Sequence, residues 1–414
     1  MTKEIQQETI RGIALRAKAL GGRAMLVGGC VRDALTGRGS ADIDCEVYGL
    51  APQALRSLAA EFGEVDESGA RYGIFSLKGA GIDLAVPRLE RRTGPKHGDF
   101  DVRLDPALPF ARAAARRDFT VNAILQDALT GEIVDPFGGQ DDLRRGVLRA
   151  VPGDGFAEDP LRVLRGAQFA ARFRLSPDAK TLEKMRTMRT DALSPARVLG
   201  EMKKAMASDA PDVFFDVLRR ADALRTWFGE LAALIGVPQP PRYHPEGDAY
   251  THSMRVLHAA AQKKARALRP EAFVFAALTH DLGKAVSTAR GEDGEWHACG
   301  HENTGVPLTR AMLGRLGVNR EIIAYCENMC RLHMRAHVCH YRQAETGETN
   351  LLFDESVCPN DLALLAVCDT LGKGSASGGA DGEAAFLTGR VRVYEETAAD
   401  RKSTRLNSSH MNLS

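Results

Sequence analysis

The run Leu26-Val27-Gly28-Gly29-Cys30-Val31-Arg32-Asp33, followed by Asp42-Ile43-Asp44, is the passage that decides the fold. An apolar strand that ends in two glycines and opens into a helix lets backbone N–H groups approach an anion closely, because glycine has no Cβ to hold a ligand off. Gly29 lies at that approach, and Arg32, on the first helical turn, is placed to hold a phosphate charge. In the strand expected over 41–48, Asp42 and Asp44 are two residues apart and project from one face, where both can grip divalent metal while Ile43 points into the core. Asp83, in the apolar strand expected over 81–86, is a candidate third carboxylate that takes a proton or completes the metal shell. Two Mg²⁺ ions about 3.5–4 Å apart on such carboxylates activate an attacking hydroxyl and neutralise a leaving pyrophosphate.

Two glycines followed closely by Asp-x-Asp, in this order, resemble the nucleotidyltransferase superfamily that includes poly(A) polymerases and CCA-adding enzymes. Arg116-Arg117-Asp118-Phe119-Thr120-Val121-Asn122-Ala123 and Asp135-Pro136-Phe137-Gly138-Gly139 resemble the class II tRNA nucleotidyltransferase pattern, and Glu158-Asp159-Pro160-Leu161-Arg162 resembles its nucleotide-selecting motif. Asp159 and Arg162 are three apart on a helix expected to begin near Pro160, so they share a face and present an acceptor beside a donor. Cytosine and adenine both show an exocyclic amino donor next to a ring-nitrogen acceptor, and guanine and uracil reverse that edge, so one Asp–Arg pair accepts C and A and rejects G and U. By the same resemblance Arg117 and Arg165 contact the nucleotide, and Gln168 stands where close relatives carry Arg.

The chain has 414 residues, with Lys+Arg 55 against Asp+Glu 54 and a formal charge of +1, so any nucleic-acid surface has to be local. Residues 162–204 supply one: eleven Lys/Arg against four acids, a footprint suited to holding an RNA stem by shape and charge. The 8 Cys include no Cys-x-x-Cys pair, which argues against a disulfide framework or a zinc ribbon. The charged N-terminal stretch excludes a secretory signal, and no apolar run is long enough for a bilayer, so a soluble cytoplasmic protein without membrane contact is expected.

Composition divides the chain into residues 1–150, mixing strand-like runs (24–27, 43–48, 72–77, 82–86) with a helix over 52–62; a helical segment, 151–236, for nucleotide selection and RNA binding; and, after the Pro-rich break Pro238-Gln239-Pro240-Pro241, a helical segment, 237–400. Nine of the eleven His fall between His244 and His340. His252, the doublet His280-Asp281 and Asp369 resemble the HD metal-dependent phosphohydrolase pattern, whose imidazole and carboxylate ligands suit Ni²⁺, Mn²⁺ or Zn²⁺. His301 and His333 are open between a second metal and a structural role, and His244, His258, His297, His337 and His340 read as ordinary surface or core histidines. The Gly/Ser-rich stretch 372–382 reads as a loop, and the Ser/Asn-rich tail 401–414 reads as non-native and is left out of the functional reading.

The fold class expected is thus α+β: a polymerase-beta-like α/β nucleotidyltransferase head, an all-α neck and body, and an all-α HD domain. The activity implied is addition of CMP and AMP from CTP and ATP to tRNA, together with an HD phosphohydrolase acting on 2′,3′-cyclic or 2′-phosphorylated nucleotides. A poly(A) polymerase, a CC-only or A-only enzyme, a non-catalytic tRNA-binding protein, a stand-alone HD phosphohydrolase and a homodimeric assembly remain open at this level.

Overall fold

Strand β1 (Arg23–Val27) is apolar after its first residue because both of its faces are covered. Ala24 and Leu26 meet the cluster built with Ile10, Ile13, Leu55 and Leu58, while Met25 and Val27 meet Leu108, Ala113, Ala123 and Val151. Clamped in this way, β1 delivers Gly28 and Gly29 to a fixed place. In the computed structural model, residues 2–39, 42–92, 100–374 and 379–411 are described; Ala41, the centre of the Gly/Ser-rich stretch and residues 412–414 lie outside them.

β2 (Ile43–Tyr48), β3 (Val65–Asp66), β4 (Ile74–Leu77) and β5 (Ile82–Ala85) follow in the chain, then β6 (Arg88–Arg92) and β7 (Phe100–Leu104), which pair as a separate antiparallel ribbon. β8 (Leu125–Asp127) and β9 (Ile133–Val134) complete a mixed seven-stranded sheet of order β3-β4-β5-β2-β1-β8-β9. Its β2/β5 pair is parallel, with Asp44 opposite Asp83. The helix expected over 52–62 runs Pro52–Ala60, with Pro at its first turn.

Two strand expectations shift. Tyr72 belongs to a 3₁₀ turn, Ala70–Tyr72, and β4 begins only after Gly73, whose φ of +72° reverses the chain. Asp42 sits in a bend just ahead of β2 instead of inside it.

The chain folds into two compact units, Met1–Arg162 with Leu175–Met188, and Val163–Arg174 with Arg189–Ser414. Residues read from sequence as one helical segment are therefore shared between the two. The second unit is helical apart from the paired two-residue strands Ala289–Arg290 and Trp296–His297. In its helix Pro270–Thr279 every residue from Ala272 to Thr279 is buried; a helix apolar on all sides belongs inside, and this one carries His280 and Asp281 at its end into the protein. The helices Ala249–Lys263, Arg320–Tyr341 and Pro359–Gly372 pack against it. The final helix, Ala380–Met411, carries the backbone through residues 401–411 of the tail.

Asp361 ties this packing together: its carboxylate, 1% exposed as a residue, accepts the Leu268 N–H at 2.8 Å, the Arg269 N–H at 3.1 Å and the Tyr325 hydroxyl at 2.7 Å. Asp361→Ala strands the buried Tyr325 hydroxyl and removes the acceptor of two half-buried backbone N–H groups, and a loss of about 1–3 kcal/mol is expected. Both tryptophans, Trp227 and Trp296, lie in this unit. Their fluorescence in a urea titration reads the loss directly, and an unchanged midpoint would remove Asp361 from this role.

Candidate active sites

Gly28 has φ +74° and opens the helix Gly29–Leu35. A Cβ there would lie 2.8 Å from Arg117 Nη1 and 3.6 Å from Asp44 Oδ2, so glycine is needed both for the backbone angle and for the approach of that guanidinium. Arg117 thus stands at the glycine turn, beside the carboxylates. Arg32 lies there too, its Nη2 3.6 Å from where a Cβ on Gly29 would sit; it is 4% exposed, donates from Nη1 to Asn122 Oδ1 at 2.6 Å and from Nη2 to Asp33 Oδ1 at 2.7 Å, and so ties the helix to the Thr120–Asn122 turn. Asn122 in turn donates to Asp118 Oδ1 at 2.9 Å.

Asp42, Asp44 and Asp83 are exposed, and the parallel register of β2 with β5 sets Asp44 beside Asp83. Desolvation pushes the Asp44 carboxyl above its usual range, against the pull of Arg117 and with the Asp83, Asp42 and Glu46 charges adding to the rise. A site that disfavours its own negative charge in this way suits a divalent cation. Further along the same face of β2, Glu46 is 2% exposed and meets Arg116 Nη2 at 2.7 Å, Arg117 Nη2 at 3.0 Å and the Tyr48 hydroxyl at 2.9 Å. Glu46 therefore aims Arg117.

Asp159 Oδ1 accepts the Leu161 N–H at 3.0 Å, which caps the helix Leu161–Phe173. Arg162 donates to the Gly155 carbonyl at 2.7 Å and the Arg116 carbonyl at 2.6 Å, linking the selecting motif to the Arg116-Arg117 segment. Arg165 and Gln168 fall in the second unit. The Arg165 guanidinium lies over the Phe169 ring at 5.1 Å, and Gln168 is buried, its Nε2 without a hydrogen-bond partner. The basic run 162–204 is divided by the unit boundary, and several of its charges are paired locally, Lys203 with Glu271 and Lys204 with Glu201, each at 2.9 Å.

In the second unit four histidines share one design. Nδ1 of His280 lies 2.9 Å from the Ala277 carbonyl, that of His301 2.7 Å from Ala298, and that of His333 2.6 Å from Cys330, while His252 Nδ1 lies 2.7 Å from Glu246 Oε1. Each contact fixes the proton on Nδ1 and turns a bare Nε2 inward. The Nε2 atoms converge on two carboxylates. His252 Nε2 is 2.9 Å from Asp369 Oδ1, His280 Nε2 is 3.2 Å from Asp281 Oδ2, and His301 Nε2 is 3.1 Å from Asp281 Oδ1. Nevertheless His252 Nε2, His280 Nε2, both Asp281 oxygens and Asp369 Oδ1 are buried without a partner in hydrogen-bond geometry. Ligand atoms of His252, His280 and Asp369 lie within 4.8 Å of one another, as do those of Asp281, His301 and His333. Lone pairs gathered without protons between them fit a metal centre, with Asp281 reaching both groups.

Lys284 Nζ stands 2.6 Å from Asp281 Oδ2. Burial alone would raise the Asp281 carboxyl, but the neighbouring His280 ring and the Lys284 ammonium hold it well below the usual carboxylate range. Gly283 makes the doublet's turn possible, since a Cβ on it would lie 2.0 Å from the His301 carbonyl oxygen. A cleft of about 970 Å³ opens onto His301 and Asp369.

Comparison with known proteins accords with both sites. Residues 24–149 match the poly A polymerase head domain and residues 249–371 match the HD domain. A multifunctional CCA protein of Nitrosococcus oceani is 41% identical over 318 residues, covering 75% of this chain and 74% of that one. The chain belongs to the multifunctional CCA protein family. The Pseudomonas aeruginosa multifunctional CCA protein is 38% identical over 336 residues, covering 79% of this chain and 77% of its own. The fold is that of the Thermotoga maritima CCA-adding enzyme solved with tRNA, at TM-score 0.63 and 17% identity over 95% of this chain and 83% of that one. The two domain types matched, nucleotidyltransferase head and HD, are metal-dependent.

Several residues that hold the candidate sites together carry no signal in the sequence. Glu46 reads as one more strand residue and Glu246 as loop, yet Glu246 also sits 2.8 Å from His244 Nδ1. His337, ordinary by its sequence surroundings, places its Nε2 2.5 Å from Asp369 Oδ2 and its Nδ1 2.7 Å from Glu383 Oε1. Only spacing in three dimensions reveals these partners.

Two measurements test the geometry. Burial would raise the Glu46 carboxyl, but the Arg117 and Arg116 guanidinium groups lower it from 4.5 to about 2. A depressed pKa contributes stability that is in place above pH 4.5 and lost as the pH falls towards 2. The stability gap between wild type and Glu46→Gln, followed by urea unfolding, is therefore expected to shrink on the order of 3 kcal/mol across that window. A gap independent of pH would show that Glu46 carries no such charge. Separately, Glu246→Gln weakens the hydrogen bond that orients His252, and about 10–100-fold weaker divalent-metal binding by calorimetry is expected; unchanged affinity would make Glu246 a bystander.

Proposed function

We propose that this chain completes the 3′ end of tRNA by adding C, C and A from CTP and ATP without a nucleic-acid template, and that its HD domain is a phosphohydrolase. The observation that carries the first part is the juxtaposition, through the β2/β5 register, of Asp44 with Asp83, next to Asp42 and under the Arg117 guanidinium. Asp42 and Asp44 would hold Mg²⁺, which activates the tRNA 3′-hydroxyl for attack on the α-phosphate and neutralises the departing pyrophosphate. Asp83 stands where it accepts the hydroxyl proton or completes the metal shell. Arg117, held by Glu46, offers its charge to the triphosphate at the glycine turn. Asp159 and Arg162 choose the base. Gly29 and Arg32 offer the triphosphate a close backbone approach and a guanidinium charge, and Arg165 is a further nucleotide contact. Relatives named as CCA-adding enzymes have been solved with tRNA, with CTP and with ATP, which supports these three as partners.

In the HD domain, His252, His280, Asp281 and Asp369 would hold Ni²⁺, Mn²⁺ or another divalent ion, whose Lewis acidity polarises a phosphoryl group. Lys284 stands at the same centre with a charge for the phosphate.

Purified protein, tRNA transcripts lacking one, two or three terminal nucleotides, and each labelled NTP in turn provide the test. Ordered incorporation of C, C and A is expected; addition of A alone, or of a long A tail, would overturn it. Asp44→Ala is expected to abolish addition while leaving hydrolysis of 2′,3′-cyclic nucleotides intact, and near-normal extension by that variant would place the metal elsewhere. Arg162→Ala is expected to lose about 1–3 kcal/mol of discrimination between C or A and U or G, read by competition among the four NTPs. Unchanged selectivity with weaker tRNA binding would move Arg162 to the RNA surface.

A further inference from the structure

The cleft above the HD centre is built from two kinds of surface. Its polar end holds His301 and Asp369 of the metal-ligand groups, together with Lys284 and Lys373. Lys284 Nζ is anchored by Gln239 Oε1 at 2.8 Å as well as by Asp281, and Lys373 Nζ is 3.9 Å from Asp369 Oδ1. Cations beside a cluster of metal ligands suit a phosphate. The lining also includes Pro240, Pro241 and Tyr243 from the Pro-rich turn and Trp296 from the paired strands Ala289–Arg290 and Trp296–His297, alongside polar residues such as Asp293, Glu295 and Glu302. Of the two tryptophans, Trp227 is 8% exposed and donates to the Thr190 carbonyl at 2.9 Å, as a core residue does, whereas Trp296 lines this cleft. Tyr243 is 60% exposed, and the Arg242 guanidinium lies 5.4 Å from its ring centroid. Two aromatic rings opening onto one cavity, with cationic and metal-binding groups in the same cavity, are poorly explained by packing alone.

We propose that Trp296 and Tyr243 form a base-binding subsite of the HD centre, so that a nucleoside phosphate is held there by its base as well as by its phosphate. The proposal rests on the HD phosphohydrolase reading and adds the part of the substrate that is recognised. The phosphate lies towards Asp369, Lys284 and Lys373, the base stacks on the rings, and the ribose spans the interval. About 970 Å³ leaves ample room for one nucleotide, at the upper end of the about 300–1,000 Å³ of small-ligand sites. Stacking on aromatic rings tolerates every base, because each has a π-face, so the preference expected is for the presence of a base and not for its identity.

Calorimetric titration of the full chain with 2′-AMP and with ribose 2-phosphate, which lacks the base, tests this, with and without added Mn²⁺. Wild type is expected to bind 2′-AMP about tenfold or more tightly than the base-free analogue. Trp296→Ala, with its thermal unfolding checked against wild type, is expected to erase that preference, and Trp296→Phe to restore most of it. Quenching of tryptophan fluorescence by 2′-AMP is expected in wild type and in Trp227→Phe, and is expected to vanish in Trp296→Phe. Equal affinity for the two ligands in wild type, or a full preference surviving in Trp296→Ala, overturns the subsite. The two readings fail separately: preference for 2′-AMP without hydrolysis under any divalent ion removes the hydrolase reading and keeps the subsite, whereas equal hydrolysis of 2′,3′-cyclic AMP and methyl riboside 2,3-cyclic phosphate removes the subsite and keeps the hydrolase.

Discussion

Asp281 is 1% exposed, and its two oxygens face the Nε2 atoms of His280 and His301 and the Lys284 ammonium, while neither oxygen has a partner in hydrogen-bond geometry. A buried carboxylate left in this state is costly, so the surrounding elements have to supply positive charge at that point. The all-apolar helix Pro270–Thr279 carries the doublet inward, Gly283 lets the His301 backbone close over it, and the backbone carbonyls and Glu246 lock each histidine with its lone pair towards the centre. Hydrophobic burial around the helix thus sustains an arrangement that the polar atoms alone would resist.

The head meets a similar problem with a different balance. Its three carboxylates keep their tips exposed, and Arg117 supplies part of the compensation. Carboxylate oxygens in an open site suit a hard, hydrated ion, and buried imidazoles with carboxylates suit a softer one. The two units therefore present different sets of donor atoms. The parallel β2/β5 pair in an otherwise antiparallel sheet is what brings Asp83, nearly forty residues on, beside Asp44.

Much of this is legible in the residues alone. The Gly-Gly turn and Asp-x-Asp are local patterns whose geometry follows from strand periodicity, and β1, β2 and the helix at Pro52 lie where alternation and Pro place them. The residues His252, His280, Asp281 and Asp369, picked out by their order in the chain, come together in space, and His301 and His333, open in the sequence, join Asp281. Sequence patterns fall short where function depends on partners distant in the chain. Arg32 sits by Gly29 as expected, but its partner Asn122 is ninety residues away, and Arg117, drawn from a distant segment, stands by Gly28. Glu46, Glu246 and His337 owe their roles to Arg117, His252 and Asp369, and no periodicity announces such pairs.

Whether each unit gathers its carboxylates for a cation of its own is most directly decided by anomalous diffraction from crystals soaked in Mn²⁺ with CTP. Two separate groups of peaks are expected, one among Asp42, Asp44 and Asp83 and one among His252, His280, Asp281 and Asp369. Peaks confined to one unit, or ordered water bridging either set of side chains in place of metal, would contradict the reading of two independent metal centres.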